Sequence, residues 1–245
     1  MNWPKGTIAT YDKLKDQGVY RQLAHTYVHG SWLEQLGRGA FKRAGDVVDW
    51  TGALYAMQTQ LNLSIHAGGK TALQMQGYAH YLTPGGILSV VLFGRPNEKL
   101  PAWFHHYQWK TKIRYAATHL FNEEKTLGLT DYKTGDYSMN ISSPERAMFE
   151  VCYDVPDKES FEEAAHLMEG LTTLRPNLVQ TLLEKCNSVK TKRVFMYLAE
   201  GQNHAWLKKL NLSKIDFGSG NRSLCKGGHY DQKYKIVVPQ KALAV

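Results

Sequence analysis

Residues 11–43 constrain the fold of this 245-residue chain more than any other stretch, because they combine helical, glycine and ribbon patterns within a short span. Tyr11 to Gln17 predict a first short helix, and Gly18 is suited to end it since glycine tolerates a positive φ. Residues 18–43 continue with a short amphipathic helix, a glycine stop and a tight ribbon that ends in two cations. This order is typical of a winged helix-turn-helix, in which the second helix enters the DNA major groove and the wing touches the backbone. DNA binding is therefore the first hypothesis.

The second helix has an apolar face and a polar face. Leu14 of the first helix and Leu23, Tyr27 and Val28 of the second form one apolar stripe at helical spacing. The opposite face carries side chains that hydrogen-bond base edges or phosphates. These side chains are Arg21, Gln22, His25, Thr26 and His29. We predict that all five contact DNA.

A hairpin follows the second helix. Apolar residues flank a Gly-Arg-Gly turn at residues 37–39, and Phe41 is expected to return to the core. Lys42 and Arg43 then point outward, so we predict DNA contacts from the wing cations Arg38, Lys42 and Arg43. The alternative interpretation is a solvated helix and hairpin with ordinary surface charge.

Charge is distributed unevenly along the chain. Residues 1–45 carry a net charge of +4, residues 202–245 carry +6, and the stretch between them carries −2. A basic N-terminal module attracts a phosphate backbone. The basic C-terminal end suits either nucleic acid or an acidic protein surface, and charge alone does not separate the two.

The rest of the chain predicts a mixed α+β fold. The Thr-Pro-Gly-Gly segment at residues 83–86 is a strong loop signal, which places a domain boundary there. Residues 1–85 are then a winged-helix DNA-binding domain, and residues 86–245 are a larger α/β domain. Helices are predicted from Asp46 or Asp49 to 61, at 70–77, at 144–153, from Asp157 or Ser160 to 169, at 177–200 with a break near Ser188, and around Trp206; strands are predicted at 87–93, 111–115, 137–141 and 234–238, with residues 103–109 as a connection.

Several functional classes find no support in the sequence. No apolar run is long enough to span a membrane, and the first residues lack the apolar region of a signal peptide. Cys152, Cys186 and Cys225 are odd in number and widely spaced, which favours a reducing cytoplasm over a disulfide framework. The histidines show no metal-ligand spacing, and no acid, base and nucleophile occur together. We therefore predict no catalytic residues, no metal and no cofactor.

Two glycine-rich segments need separate consideration. Gly69-Lys70-Thr71 resembles the end of a phosphate-binding loop, but Ser64 occupies the position of the required earlier glycine, so a plain helix start is favoured. Residues 218–231 interleave four glycines with cations. Such a loop can present positive charge to an anion or to a carboxylate-rich surface, although a mobile basic surface loop is the plainer interpretation.

Long strings of the chain resemble the AbiEi family, the antitoxins of type IV abortive-infection toxin–antitoxin systems. The strings are residues 18–43, 49–61, 68–73, 142–147, 169–176, 216–220 and 226–228, which together extend over nearly the whole chain. The resemblance implies an N-terminal winged helix that represses the antitoxin's own operon and a C-terminal domain that neutralises a nucleotidyltransferase toxin. This chain begins almost directly at Pro4, whereas family members carry a further helix, so the first helix of the winged helix is expected to be shortened.

The resemblance and the charge pattern together give the expected partners. We expect promoter DNA with inverted repeats, bound by two copies of the chain in the cytoplasm, and a cognate nucleotidyltransferase toxin. The toxin is expected to meet a basic surface formed by Lys208, Lys209, Arg222, Lys226 and His229. Two alternatives stay open, namely a protein-interaction module without DNA binding and an enzyme that modifies the toxin or its product.

Overall fold

The computed structural model describes residues 3–78, 89–121 and 126–240. The chain divides into two compact units. Unit 1 consists of residues 1–67, 88–118 and 130–141, and unit 2 consists of residues 68–87, 119–129 and 142–245. Unit 1 thus joins segments from both sides of the expected boundary at residues 83–86, and that boundary itself lies outside the described residues.

The predicted helices are present with small shifts at their ends. Side-chain caps begin four of them: Thr10 caps the first helix, Asp49 accepts from Thr51 N at 2.8 Å, Ser160 from Glu163 N at 3.0 Å, and Ser188 from Thr191 N at 3.2 Å. The α-helices are α1 Tyr11–Asp16, α2 Arg21–His29, α3 Trp50–Thr59, α4 Gly69–Met75, α5 Ala102–His106, α6 Pro144–Asp154, α7 Phe161–Glu169, α8 Pro176–Lys185 and α9 Val189–Gln202, and 3₁₀ turns occupy Ala205–Lys209 and Leu212–Lys214.

Three sheets complete the described fold. Their strand orders are β1-β3-β2, β6-β5-β4-β8-β7 and β10-β11-β9. The strands are β1 Ala9–Thr10, β2 Leu33–Gly37, β3 Ala40–Arg43, β4 His66–Ala67, β5 Ser89–Gly94, β6 Lys112–Ala117, β7 Leu129–Thr134, β8 Tyr137–Ser142, β9 Arg222–Ser223, β10 His229–Asp231 and β11 Ile236–Val238. The mixed α+β class predicted from the sequence is confirmed.

The differences from prediction lie in short elements. Strands β1, β4, β7, β9 and β10 were not predicted, and α5 replaces part of the connection expected at residues 103–109. Two-residue strands such as β1 and β4 carry no periodic signal, because their existence depends on pairing with residues distant in the chain. β4 pairs with β5 on one side and with β8 on the other, so it is central to the largest sheet although it is only two residues long.

Helices α6 and α9 pack together in unit 2, with the rings of Phe149 and Phe195 stacked at 4.1 Å between centroids. An ion pair between a buried carboxylate and an exposed guanidinium supports the start of α6, where Glu145 accepts three hydrogen bonds from Arg175 at 2.8–3.0 Å. Burial alone raises the pKa of Glu145, but the hydrogen bonds from Arg175 outweigh it and hold that pKa below its ordinary value. Within the described residues, no helix is both long and apolar enough to cross a bilayer.

Candidate nucleic-acid interface

The turn between α1 and α2 is built from local capping interactions. Thr10 caps α1 by accepting from Lys13 N at 3.3 Å. After α1, Gly18 adopts a φ of +80°, which lets its N–H donate to Lys15 O and the N–H of Val19 donate to Leu14 O, both at 2.9 Å. This closure ends α1 and starts α2 after a short turn, as the sequence predicts.

The three-stranded sheet completes the winged helix-turn-helix. β3 is its central strand and pairs antiparallel with β1 through Ala9↔Phe41 and with β2 through Leu33↔Arg43. The hairpin turns at residues 38–39, where Gly39 has a φ of +78°. Leu14 and Leu33 are buried in the core beneath the helices, and Phe41 returns to that core as predicted. The predicted N-terminal fold is therefore confirmed.

The predicted polar face of α2 is exposed but consists of two rows. All five side chains, Arg21, Gln22, His25, Thr26 and His29, are solvent-exposed. Arg21 and His25 line a cleft between α2 and the hairpin. Gln22, Thr26 and His29 do not line that cleft, and we call these three residues the outer row.

Contacts along α2 connect the two rows. The imidazole rings of His25 and His29 stack with their centroids 6.2 Å apart and their planes at 27°. The hydroxyl of Thr26 donates to the backbone carbonyl of Gln22 at 3.1 Å, so it is oriented by its own helix. On the other row, the Arg21 guanidinium lies 5.6 Å from the centre of the Tyr11 ring.

The hairpin cations differ sharply in their environments. Arg38 is exposed at the tip. Lys42 is predicted to point outward, but its side chain is only 16% exposed, and its ammonium lies 2.8 Å from Glu34 and donates to Asp46 O at 2.7 Å. Arg43 is also not free. It donates to the backbone carbonyl of Trp3, and its guanidinium lies 4.8 Å from the centre of the Trp3 side-chain ring. Lys42 and Arg43 are therefore half-buried and engaged with other groups of the chain, whereas the sequence predicts free outward cations.

The physical reason is the register of the hairpin. Glu34 stands directly opposite Lys42, so the two charges meet across the ladder. The hydrogen bond from Lys42, followed by one from the N–H of Gly45, lowers the pKa of Glu34 and keeps it anionic. A β-bulge at Leu36 shifts this register between Gly37↔Ala40 and Gln35↔Phe41. Counting outward from the turn therefore places Gln35 opposite Lys42, and the sequence carries no local signal of the Glu34 pair.

Two exposed aromatic side chains flank α2 and were not predicted as interface residues. Tyr20 precedes the helix and is 58% exposed, and Trp32 follows it and is 68% exposed. Trp32 packs closely over Gly30, because a Cβ atom at Gly30 would stand 3.0 Å from Trp32 Cδ1. Sequence reasoning missed both residues because aromatic residues at helix ends are usually buried against the core.

The residues predicted to form a basic surface lie on a 3₁₀ turn and in the segment from β9 to β10. Lys208 and Lys209 are exposed at the end of a 3₁₀ turn. Arg222 and His229 are exposed on β9 and β10, and Lys226 is exposed between these strands. Lys208, Lys209, Arg222, Lys226 and His229 are called the basic surface below.

A buried arginine holds the loop that leads to this surface. Arg193 of α9 is 1% exposed and donates to the carbonyls of Phe217 at 2.9 Å, Gly218 at 3.0 Å and Gly220 at 2.6 Å. Burial lowers the pKa of Arg193, and the positive charge of Arg222 acts in the same direction. The start of the glycine-rich loop is thus fixed by hydrogen bonds to a central guanidinium, which sequence reasoning did not identify.

The other motifs considered in the sequence serve the structure. α4 begins at Gly69, whose N–H donates at 2.9 Å to the buried carboxylate of Glu150. Lys70 pairs with Glu163 at 2.5 Å. Across the described part of the chain, no group of three His, Cys, Asp or Glu side chains is arranged to hold a metal ion.

Comparisons with known proteins give consistent results. Residues 88–239 match a family described as "Transcriptional regulator, AbiEi antitoxin, Type IV TA system", and residues 1–84 match "Transcriptional regulator, AbiEi antitoxin N-terminal domain". The crystal structure of the RV2827C protein from Mycobacterium tuberculosis is similar over 94% of this chain and 86% of that chain, with a TM-score of 0.60 and 13% identity. At this identity the similarity shows a shared fold alone. No curated protein sequence matches the chain.

Proposed function

Since the chain belongs to the AbiEi antitoxin family of type IV toxin–antitoxin systems, we propose that it binds the promoter of its own operon and neutralises a nucleotidyltransferase toxin. The family is one of transcriptional regulators and not a class of enzymes. We assign DNA binding to residues 1–85 and toxin neutralisation to residues 86–245. A cytoplasmic location agrees with both partners and with the free thiols of Cys152, Cys186 and Cys225.

The observation that carries the DNA assignment is the exposed outer row of α2. One side of α2 presents the amide, hydroxyl and imidazole groups of Gln22, Thr26 and His29. These three side chains are solvent-exposed, so no described residue of unit 1 covers this side of the helix. Side chains of this kind read base edges in the major groove. We propose that the outer row reads the promoter sequence.

The exposed side chains beside the outer row are proposed to contact phosphates. Arg21, His25 and Arg38 are exposed on the helix and at the hairpin tip. Lys42 and Arg43 contribute indirectly, because their contacts with Glu34 and Trp3 position the hairpin. The sequence-independent part of the affinity at this surface then depends mainly on the exposed guanidinium groups of Arg21 and Arg38.

The size of the reading helix supports binding by two copies. α2 has nine residues and reaches only a few base pairs, so selectivity requires two half-sites about one helical turn or a multiple of it apart. We propose that two copies bind an inverted repeat cooperatively. Analytical ultracentrifugation on a promoter duplex is expected to show two chains per duplex, and one chain on a complete repeat would contradict the proposal.

Replacement of Gln22 by alanine tests the DNA assignment directly. The variant Gln22→Ala is expected to lose about 1–3 kcal/mol of preference for the promoter over unrelated DNA, with little change in affinity for unrelated DNA. Gln232→Ala removes the same side chain from an exposed position in unit 2 and serves as the control. Fluorescence anisotropy with both duplexes measures the effect. Equal losses on both duplexes, or no loss at all, would contradict base reading by the outer row.

Toxin neutralisation is proposed to depend on the basic surface. A toxin that handles nucleotides needs a basic active-site cleft, which would repel these cations. The basic surface therefore suits either an acidic outer face of the toxin or the nucleic-acid substrate of the toxin. In cells that express the cognate toxin, the full-length double variant Arg222→Ala/Lys226→Ala is expected to restore growth less than the unmodified chain. Lys112→Ala/Lys133→Ala removes equal charge from exposed positions of unit 1 and is expected to restore growth fully. Full protection by the first variant would exclude the basic surface.

A further inference from the structure

The cleft between α2 and the hairpin is large enough to hold a small molecule. Its volume is about 520 Å³, which lies within the range of typical ligand pockets. Its walls come from one side of α2, from both strands of the hairpin and from the start of α1. All of these elements belong to unit 1, so the cleft is complete within one compact body.

The cleft combines cations with an apolar lining. Arg21 and Arg38 provide two guanidinium groups, and within residues 3–78, 89–121 and 126–240 neither forms an ion pair with a carboxylate. Tyr11, Val28 and Phe41 provide aromatic and aliphatic surface in the same cleft. Guanidinium groups bind phosphate in a bidentate manner, and aromatic rings bind flat apolar groups by stacking. The lining therefore matches a molecule that carries both an anionic group and a planar apolar part.

A phosphate group alone does not explain this composition. A small, strongly hydrated anion gains nothing from contact with the half-buried Tyr11 or Val28, whereas a planar ring gains free energy when it covers them. We propose that the cleft binds a small phosphorylated molecule with a planar body, of the class of nucleoside monophosphates. The planar body contacts the apolar lining, and the phosphate binds Arg21 and Arg38.

Ligand binding has a consequence that rests on the proposed function. Arg21 and Arg38 are also the cations proposed to contact the phosphates of promoter DNA. A bound phosphorylated ligand occupies the same guanidinium groups, so it lowers the affinity for DNA. The ligand then acts as an inducer that releases the chain from its promoter.

Calorimetric titration of the full-length chain without DNA tests the site independently of promoter binding. The probes are AMP, adenosine and inorganic phosphate. AMP is expected to bind, and adenosine and inorganic phosphate are each expected to bind at least about tenfold more weakly, because each lacks one half of the recognised chemistry. Absence of AMP binding at millimolar concentration overturns the proposal.

Three variants locate the binding. Val28→Phe fills the cleft with additional side-chain volume, and Arg38→Ala removes an exposed cation without touching the core; each is expected to weaken AMP binding by about tenfold or more. Lys15→Ala removes an exposed cation of α1 that does not line the cleft; it is the matched control and is expected to leave AMP binding unchanged. Circular dichroism establishes that each variant is folded, and Arg38→Ala remains informative if Val28→Phe is not. AMP binding that is insensitive to Arg38→Ala overturns the assignment of the cleft.

The link to DNA is measured separately. AMP is expected to lower the affinity of the unmodified chain for its promoter duplex, and this effect is expected to disappear in Val28→Phe. A chain that binds AMP but not promoter DNA would contradict the proposed function and leave the cleft assignment intact. A chain that binds DNA but not AMP would contradict the cleft assignment alone.

Discussion

Replacement of Arg38 by alanine is expected to reduce the salt dependence of promoter binding, whereas replacement of Lys42 is not. Both residues belong to the hairpin, and the sequence alone makes them equivalent wing cations. In the structure Arg38 is exposed at the tip, while the ammonium of Lys42 lies 2.8 Å from the carboxylate of Glu34. An ammonium already paired with a carboxylate releases few additional counterions when DNA binds.

The expected magnitude follows from one phosphate contact. Each neutralised phosphate contributes about 0.9 to the slope of log affinity against log salt. Between about 50 and 200 mM salt, the logarithm of the salt concentration changes by about 0.6. The loss of affinity over this interval is therefore expected to be about 3.5-fold smaller for Arg38→Ala than for the unmodified chain. Lys42→Ala is expected to keep the original slope.

Fluorescence anisotropy on a promoter duplex across a salt series measures these slopes. Lys42→Met keeps much of the aliphatic stem of the lysine and controls for loss of hairpin packing. The reasoning would be refuted if Lys42→Ala reduced the slope as much as Arg38→Ala. It would also be refuted if Arg38→Ala left the slope unchanged, because the exposed tip would then not touch the DNA backbone.

Two further predictions concern unit 2. Arg175→Ala removes two side-chain hydrogen bonds from the buried carboxylate of Glu145 and is expected to cost about 1–2 kcal/mol in urea unfolding at neutral pH, because Arg175 itself is exposed and water screens the pair. The pKa of Glu145 is lowered in the folded chain, so the stabilisation is full above the unfolded-state pKa and is lost as pH falls through the folded-state pKa. The stability difference between Arg175→Ala and the unmodified chain should therefore shrink in acid. A difference that stays constant with pH would contradict this account. Of the three thiols, half-buried Cys225 is expected to react first with a disulfide reagent near pH 8, because burial raises the pKa of Cys152 and Cys186, the latter to about 11. Equal reaction rates of all three thiols in the folded chain would show that the interior is open.

The sequence by itself determined the winged helix-turn-helix. Helical periodicity, Gly18 after α1 and the Gly-Arg-Gly turn are local signals, and each acts through residues close in the chain. For the same reason the exposed polar face of α2 could be predicted residue by residue. Helices that begin with a capping side chain, such as those after Asp49 and Ser188, were equally accessible.

Tertiary structure alone decided how the cations of this chain are used. Lys42 is paired because hairpin register places Glu34 opposite it, and Arg43 is engaged because Trp3, distant in sequence, lies beside it. Nothing in the helical pattern of α9 distinguishes Arg193 from an exposed arginine. In the structure it is buried and donates to the carbonyls of Phe217, Gly218 and Gly220. Side-chain spacing shows which residues share a face, but the partner that neutralises a charge is chosen by contacts between segments far apart in the chain. Those contacts follow from the packing of the whole fold and not from any local pattern.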